Sequence, residues 1–162
     1  LVGSEMCIRD SHKGIAQTVW LGRMTKVAEH PYIYVDGAHN VAAWEYLRTS
    51  VEKYFTNRRV IYIIGVLKDK EYEKMVEILA PTMAAAVVIT PDTPRGLPKE
   101  ILAPLIQAQG VPVQLADTSA EALQKAREQA GETGVILVSG SLSFLAEYLQ
   151  LESGDENNGA SR

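Results

Sequence analysis

Short apolar runs alternate with longer segments of helical spacing along most of the chain, and the two kinds of segment follow one another without a long break. Strand-like runs fall at residues 33–36, 60–66, 86–90, 111–115 and 135–139. Several are continuously apolar rather than alternating, the pattern of strands buried on both faces. Helical spacing predicts helices over 42–54, 72–79, 99–109, 120–130 and 142–149. In the fourth of these, Ala122, Leu123, Ala126 and Ala130 recur on one face, Thr118 or Ser119 offers an N-cap, and Glu121 or Glu128 faces solvent. This rhythm predicts an α/β fold: a Rossmann-like, mostly parallel, doubly wound sheet with helices on both faces. No internal repeat or low-complexity insert interrupts it.

The two ends depart from the rhythm. Residues 1–11 lack a start Met and show no periodicity, and they read as a non-native segment or a linker from a preceding domain. Residues 152–162 are rich in Gly, Ser, Asn and acid, which predicts a disordered tail. The domain is therefore assigned to 12–151. At 162 residues, 46% hydrophobic and 22% charged, the chain suffices for one substantial core. A formal charge of −4 with no long Lys/Arg block argues against nucleic acid or an anionic membrane surface as the main partner. No apolar run is long enough to span a bilayer, and the single Cys7 cannot form an internal disulfide, so a reducing cytoplasm is the expected compartment. His12 and His30 have no partner at metal-ligand spacing, and no zinc site is predicted.

Polar residues cluster where the apolar runs stop. Tyr32-Ile33-Tyr34-Val35 leads directly into Asp36-Gly37-Ala38-His39-Asn40, a strand, a tight loop and a helix start. In an open α/β sheet ligands bind at the carboxyl ends of strands, which places Asp36, His39 and Asn40 where chemistry is normally found. A turn at Asp36-Gly37 with a helix cap at Asn40 is the plainer alternative. Arg23, within Trp20-Leu21-Gly22-Arg23-Met24, is expected on the neighbouring strand of a hairpin, which would bring a guanidinium to the same place. Ser139-Gly140-Ser141 repeats the arrangement after another strand, where first-turn N–H groups could meet an anion or a serine could simply cap the helix. The segment Gly65 to Lys70 is expected to be a solvated loop in which Asp69 initiates the next helix, and Thr90 to Arg95 a stiff loop with Arg95 exposed. Trp20, Trp44, Tyr46 and Tyr54 are read as packing groups. No phosphate loop of the form G-x-x-x-x-G-K-S/T occurs in the chain.

These segments, in this order, resemble the C-terminal domain of folylpolyglutamate synthase, which is often bifunctional with dihydrofolate synthase and belongs to the Mur ligase superfamily. The family pattern runs roughly Trp-Pro-Gly-Arg, a strand, then Asp-Gly-Ala-His-Asn, and the later segments Gly65 to Lys70, Thr90 to Arg95 and Ser139 to Leu142 also match it. The resemblance covers about residues 18–149, and Gly37 favours this family over the peptidoglycan-building Mur ligases, which tend to carry Tyr there. Leu21 and Val41 stand where the family usually has Pro, and Ser143 where it frequently has an aromatic residue. A proline at the first helical turn mainly preorganises the backbone, so these losses should soften the loop without abolishing the site.

The resemblance implies a Mur ligase C-terminal-type fold and an ATP-dependent carboxylate-amine ligase. A folate or dihydropteroate carboxylate would be phosphorylated, and the amine of L-glutamate would displace phosphate to form an amide. It implies that Arg23 and Asp36 contact ATP, that His39 lies near the transferring phosphate and the incoming glutamate and donates a hydrogen bond as a neutral or charged ring, and that Ser141 helps bind the amino-acid substrate. The phosphate loop and the main Mg2+ ligands would lie on an N-terminal P-loop domain of the same protein, so this chain alone is expected to be inactive. A standalone Rossmann-like nucleotide-binding or interaction module without catalysis is the alternative reading.

Overall fold

The structure is a computed structural model that describes residues 24–141 together with Leu145 and Tyr148. Cys7, His12, Trp20, Arg23, Ser143 and the segments 1–11 and 152–162 lie outside the described residues, as does most of the expected helix at 142–149.

Strand β1 (Thr25–Glu29) turns back antiparallel onto β2 (Tyr32–Asp36). Then follow α1 (Val41–Tyr54), β3 (Val60–Ile64), α2 (Tyr72–Leu79) with a 3-10 turn at Ala80–Thr82, and β4 (Ala85–Ile89). The described part closes with α3 (Lys99–Ala108), β5 (Val113–Ala116), α4 (Ser119–Ala130) and β6 (Val135–Ser139). The six strands form one sheet in the order β1-β2-β6-β3-β4-β5, in which the β1 and β2 pair is antiparallel and every other pair parallel. The chain therefore builds outward from β2 through β3, β4 and β5, then returns to insert β6 between β2 and β3.

Residues of the inner strands alternate between two cores. Val60, Tyr62 and Ile64 of β3 pack on one face against Trp44, Leu47 and Val51 of α1, Met75 and Leu79 of α2, and Leu102 and Ile106 of α3. Ile61 and Ile63 point to the other face, against Ala122, Leu123 and Ala126 of α4 and against Leu145 and Tyr148. Helices thus cover both faces, as the continuous apolar runs predict: β3, β4 and β6 are buried at every position. Each fully buried Val, Leu or Ile contributes about 1.5–3 kcal/mol relative to exposure, so this double core dominates the stability.

Four expectations need correction. The partner strand of the hairpin is Thr25–Glu29, beyond the 20–24 segment; it is an edge strand with no residue fully buried, so no apolar run marks it. Strand β3 stops at Ile64, because Val66 turns its carbonyl to the Leu97 N–H. Strand β5 begins at Val113 and is not buried throughout: it has a ladder on one side only, leaving Gln114 and Leu115 exposed. Tyr46 and Tyr54 are not packing groups, being 77% and 65% exposed: Tyr46 lies on the side of α1 turned away from Trp44, Leu47 and Val51, and Tyr54 is the last residue of the helix.

Candidate functional site

The return of β6 brings distant strand ends together. Asp36, the last residue of β2, lies opposite Ser139, the last residue of β6, and Ser139 lies opposite Ile64 of β3. The loops after all three strands therefore meet at one carboxyl edge, where the winding of the sheet reverses, the usual crevice of an open α/β sheet. Gly140 makes the approach possible: at φ 122, a Cβ on it would sit 2.4 Å from the Gly65 carbonyl oxygen. Only glycine lets these two loops touch.

The loop after β2 is held by its own polar groups. Asp36 is buried, and Oδ1 of its carboxylate accepts the Ala38 N–H at 2.8 Å while Oδ2 accepts the Met24 N–H at 2.9 Å. The Ala38 carbonyl in turn accepts the Trp44 indole N–H at 3.0 Å and the Ser139 hydroxyl at 3.4 Å. Asn40 caps α1, its Oδ1 accepting the Ala43 N–H at 2.9 Å. That settles Asn40 as a cap, and α4 is capped similarly by Thr118.

His39 is half-buried, with Nδ1 2.7 Å from the Gly37 carbonyl oxygen. A carbonyl only accepts, so this contact assigns the proton to Nδ1 and leaves the lone pair of the neutral ring on Nε2. With Nδ1 engaged in this way, the neutral ring offers an acceptor at Nε2 and the charged ring a donor. Ser139 and Ser141 are both buried at the same edge. Asp36, His39 and Ser141 are thus gathered by β2 and β6, whereas Arg23 falls just before the described residues, adjacent in sequence to Met24.

Two further loops form a joined pair beside this cluster. The Arg95 guanidinium forks onto Asp69, Nε to Oδ1 at 3.2 Å and Nη2 to Oδ2 at 2.7 Å. Backbone bonds from Lys68 N–H to the Arg95 carbonyl and from Leu97 N–H to the Val66 carbonyl, both 2.9 Å, continue the contact. Asp69 is therefore not a helix initiator; Glu71 occupies the N-cap of α2, and the Arg95 hydrogen bond holds the Asp69 carboxyl below the usual range. Arg95 is exposed as expected but paired, and the exposed Lys68 ammonium reaches the Pro94 carbonyl at 3.3 Å. Asp69 and Arg95 are 26 residues apart, and no local pattern announces their pairing. A cavity of about 620 Å³ opens beyond them at the ends of β4 and β5, lined by Thr90, Asp92, Thr93, Asp117, Thr118 and Ser119 among others. Among the described residues no three His, Cys, Asp or Glu side chains converge as a metal cluster, and no helix is long and apolar enough to cross a membrane.

Comparison with known proteins gives this edge a context. Residues 22–142 match the family described as Mur ligase, glutamate ligase domain. A dihydrofolate synthase/folylpolyglutamate synthase of Bacillus subtilis (strain 168) is 28% identical over 135 residues, covering 83% of this chain and 31% of the relative. Its counterpart in Escherichia coli (strain K12) is 31% identical over 148 residues, covering 91% of this chain and 33% of the relative. Among solved structures, E. coli FolC in complex with DHPP and ADP superposes with a TM-score of 0.83 at 29% identity, over 94% of this chain and 35% of that one. The chain spans about a third of the length of these relatives. The family match runs from the residue before Arg23 through the whole sheet to the residue after Ser141, and the chain belongs to the Mur ligase, glutamate ligase domain family.

Proposed function

We propose that this chain is the C-terminal domain of an ATP-dependent folate-glutamate ligase of the folylpolyglutamate synthase type, with the domain spanning residues 12–151. The observation that carries the reading is the convergence of Asp36, His39 and Ser141 on one carboxyl edge of a sheet that belongs to this family. The domain completes an ATP and glutamate cleft with an N-terminal P-loop domain. In the reaction, the terminal carboxylate of a tetrahydrofolate or dihydropteroate substrate takes the γ-phosphoryl group of ATP, releasing ADP. The glutamate amine then attacks the acyl phosphate, and phosphate leaves as the amide forms.

Arg23 is assigned to the phosphate oxygens, which its planar fork of donors suits. Asp36 is assigned to the nucleotide side of the cleft through the backbone amides that its carboxylate holds, and Ser141 to the amino-acid substrate. With Nδ1 tied to Gly37, neutral His39 presents Nε2 to an N–H of the incoming glutamate, and the charged ring would instead donate to phosphate. A divalent ion, for which we assign Mg2+, neutralises phosphate charge when bound; a Yersinia pestis synthase at 25% identity and TM-score 0.68 was solved with AMPPNP and Mn ion. The described residues include no cluster suited to hold it, and its ligands are assigned to the P-loop domain. The cytoplasm is the assigned compartment, supported by ATP as substrate and a lone cysteine.

The test is ADP release by the complete gene product that carries this chain, with a folate and glutamate present. Arg23→Ala and Asp36→Ala should each lower turnover by about 10²-fold or more, the scale of losing one preorganised electrostatic contact. Wild-type turnover in both variants would sink the site assignment.

A further inference from the structure

We propose that Asp36 is a positioning residue: its carboxylate clasps the Met24 and Ala38 backbone amides, and so anchors the peptide joining Arg23 to β1 onto the loop that carries His39. The significance given to Arg23 and His39 rests on the function proposed above, but the clasp itself does not.

The register of the hairpin makes the case. Thr25 pairs with Val35 and Lys26 with Tyr34, so the next pair in the ladder would be Met24 with Asp36. At that position the Asp36 side chain, not a β2 carbonyl, takes the Met24 N–H, at 2.9 Å and across 12 residues of chain. The second oxygen is spent on Ala38, at 2.8 Å, which bends the loop back beneath the carboxylate. Both bonds are charge-assisted, and Asp36 is only 8% exposed, where such bonds are strongest. Met24 has a left-handed φ of 46, a conformation that residues other than Gly, Asn and Asp rarely adopt unaided. The Asp36 carboxylate, from the other strand of the hairpin, takes the N–H of the residue in that conformation. Asparagine at this position keeps the shape but offers one acceptor oxygen in place of two, and turns an amide donor towards one of the N–H groups.

Amide hydrogen exchange on the 162-residue chain tests the clasp directly. In the wild type the Met24 and Ala38 amides should exchange roughly tenfold or more slowly than unprotected amides, and Asp36→Asn should abolish that protection at one or both while Ile63 and Leu137 keep theirs. Absence of protection in the wild type overturns the proposal whether or not the variant folds, and so does unchanged protection in a folded Asn variant. The positioning role is read from the KM for ATP of the complete gene product in a cycle of Asp36→Asn, Arg23→Ala and the double variant. If Asp36 acts through Arg23, the double variant should be within about threefold of the worse single. Multiplying effects would overturn positioning and leave the proposed function standing. A KM unmoved by either single variant would overturn that function instead, while exchange still decides the clasp.

Discussion

The Tyr62 hydroxyl is buried 2.6 Å from Thr82 Oγ1, and Thr82 already donates its own proton to the Leu79 carbonyl at 2.8 Å. Tyr62 must therefore be the donor of the pair. Burial, more than any neighbour, pushes this phenol well above its ordinary value near 10. The fold favours the neutral form, so the contribution is whole below about pH 10 and drains away as pH rises beyond it. We predict that Tyr62→Phe loses about 1 kcal/mol at neutral pH, from the missing hydrogen bond. The same variant should show a smaller fall in Tm than wild type between about pH 9 and pH 11, because no buried phenol remains to ionise. Thermal melts followed by circular dichroism at both pH values would check it; parallel falls in the two proteins would refute the account. That Tyr62 is buried is legible in Val60-Ile61-Tyr62-Ile63-Ile64, but its partner, 20 residues away, is not. His39 is similar: the motif marks the residue, whereas the choice of ring nitrogen waits on the Gly37 carbonyl.

Elements are legible in the sequence where their pattern is local. Helix α1 begins one residue before its expected start and ends where expected, because Trp44, Leu47 and Val51 repeat at helical spacing behind an asparagine cap. Val41 stands at the first helical position, where the family usually has Pro, so the start of α1 leans on Asn40. Asn40→Ala should accordingly cost about 1 kcal/mol, leaving the Ala43 N–H without its acceptor. Urea unfolding would show this as a lower midpoint with an unchanged slope. Loops fared worse. Asp69 precedes a helix and looks like an initiator, yet it faces Arg95 of another loop, and an isolated stretch of sequence cannot tell one role from the other.

At the scale of the whole molecule, β6 is the strand on which the architecture turns. It pairs with β2 on one side and β3 on the other, and β2 has no ladder with β3 itself. A chain ended at Gly134 should therefore lose the link between the β1 and β2 hairpin and the rest of the sheet, and we predict that it shows no cooperative thermal transition. A sharp melt in that truncation would mean the hairpin docks without β6. The sequence by itself determined the identity and order of most elements, the two-sided burial of β3, β4 and β6, and the polar and glycine positions at strand ends that resemble one ligase family. Those properties are written in local periodicity and in short motifs, since burial and propensity act over a few residues. The strand order, the Asp36 clasp, the Asp69 and Arg95 fork, and the hydroxyl that Ser139 brings to Ala38 were decided only by the tertiary structure. They join residues 12, 26 and 101 positions apart, and their energies depend on a geometry that exists only once the sheet has been assembled.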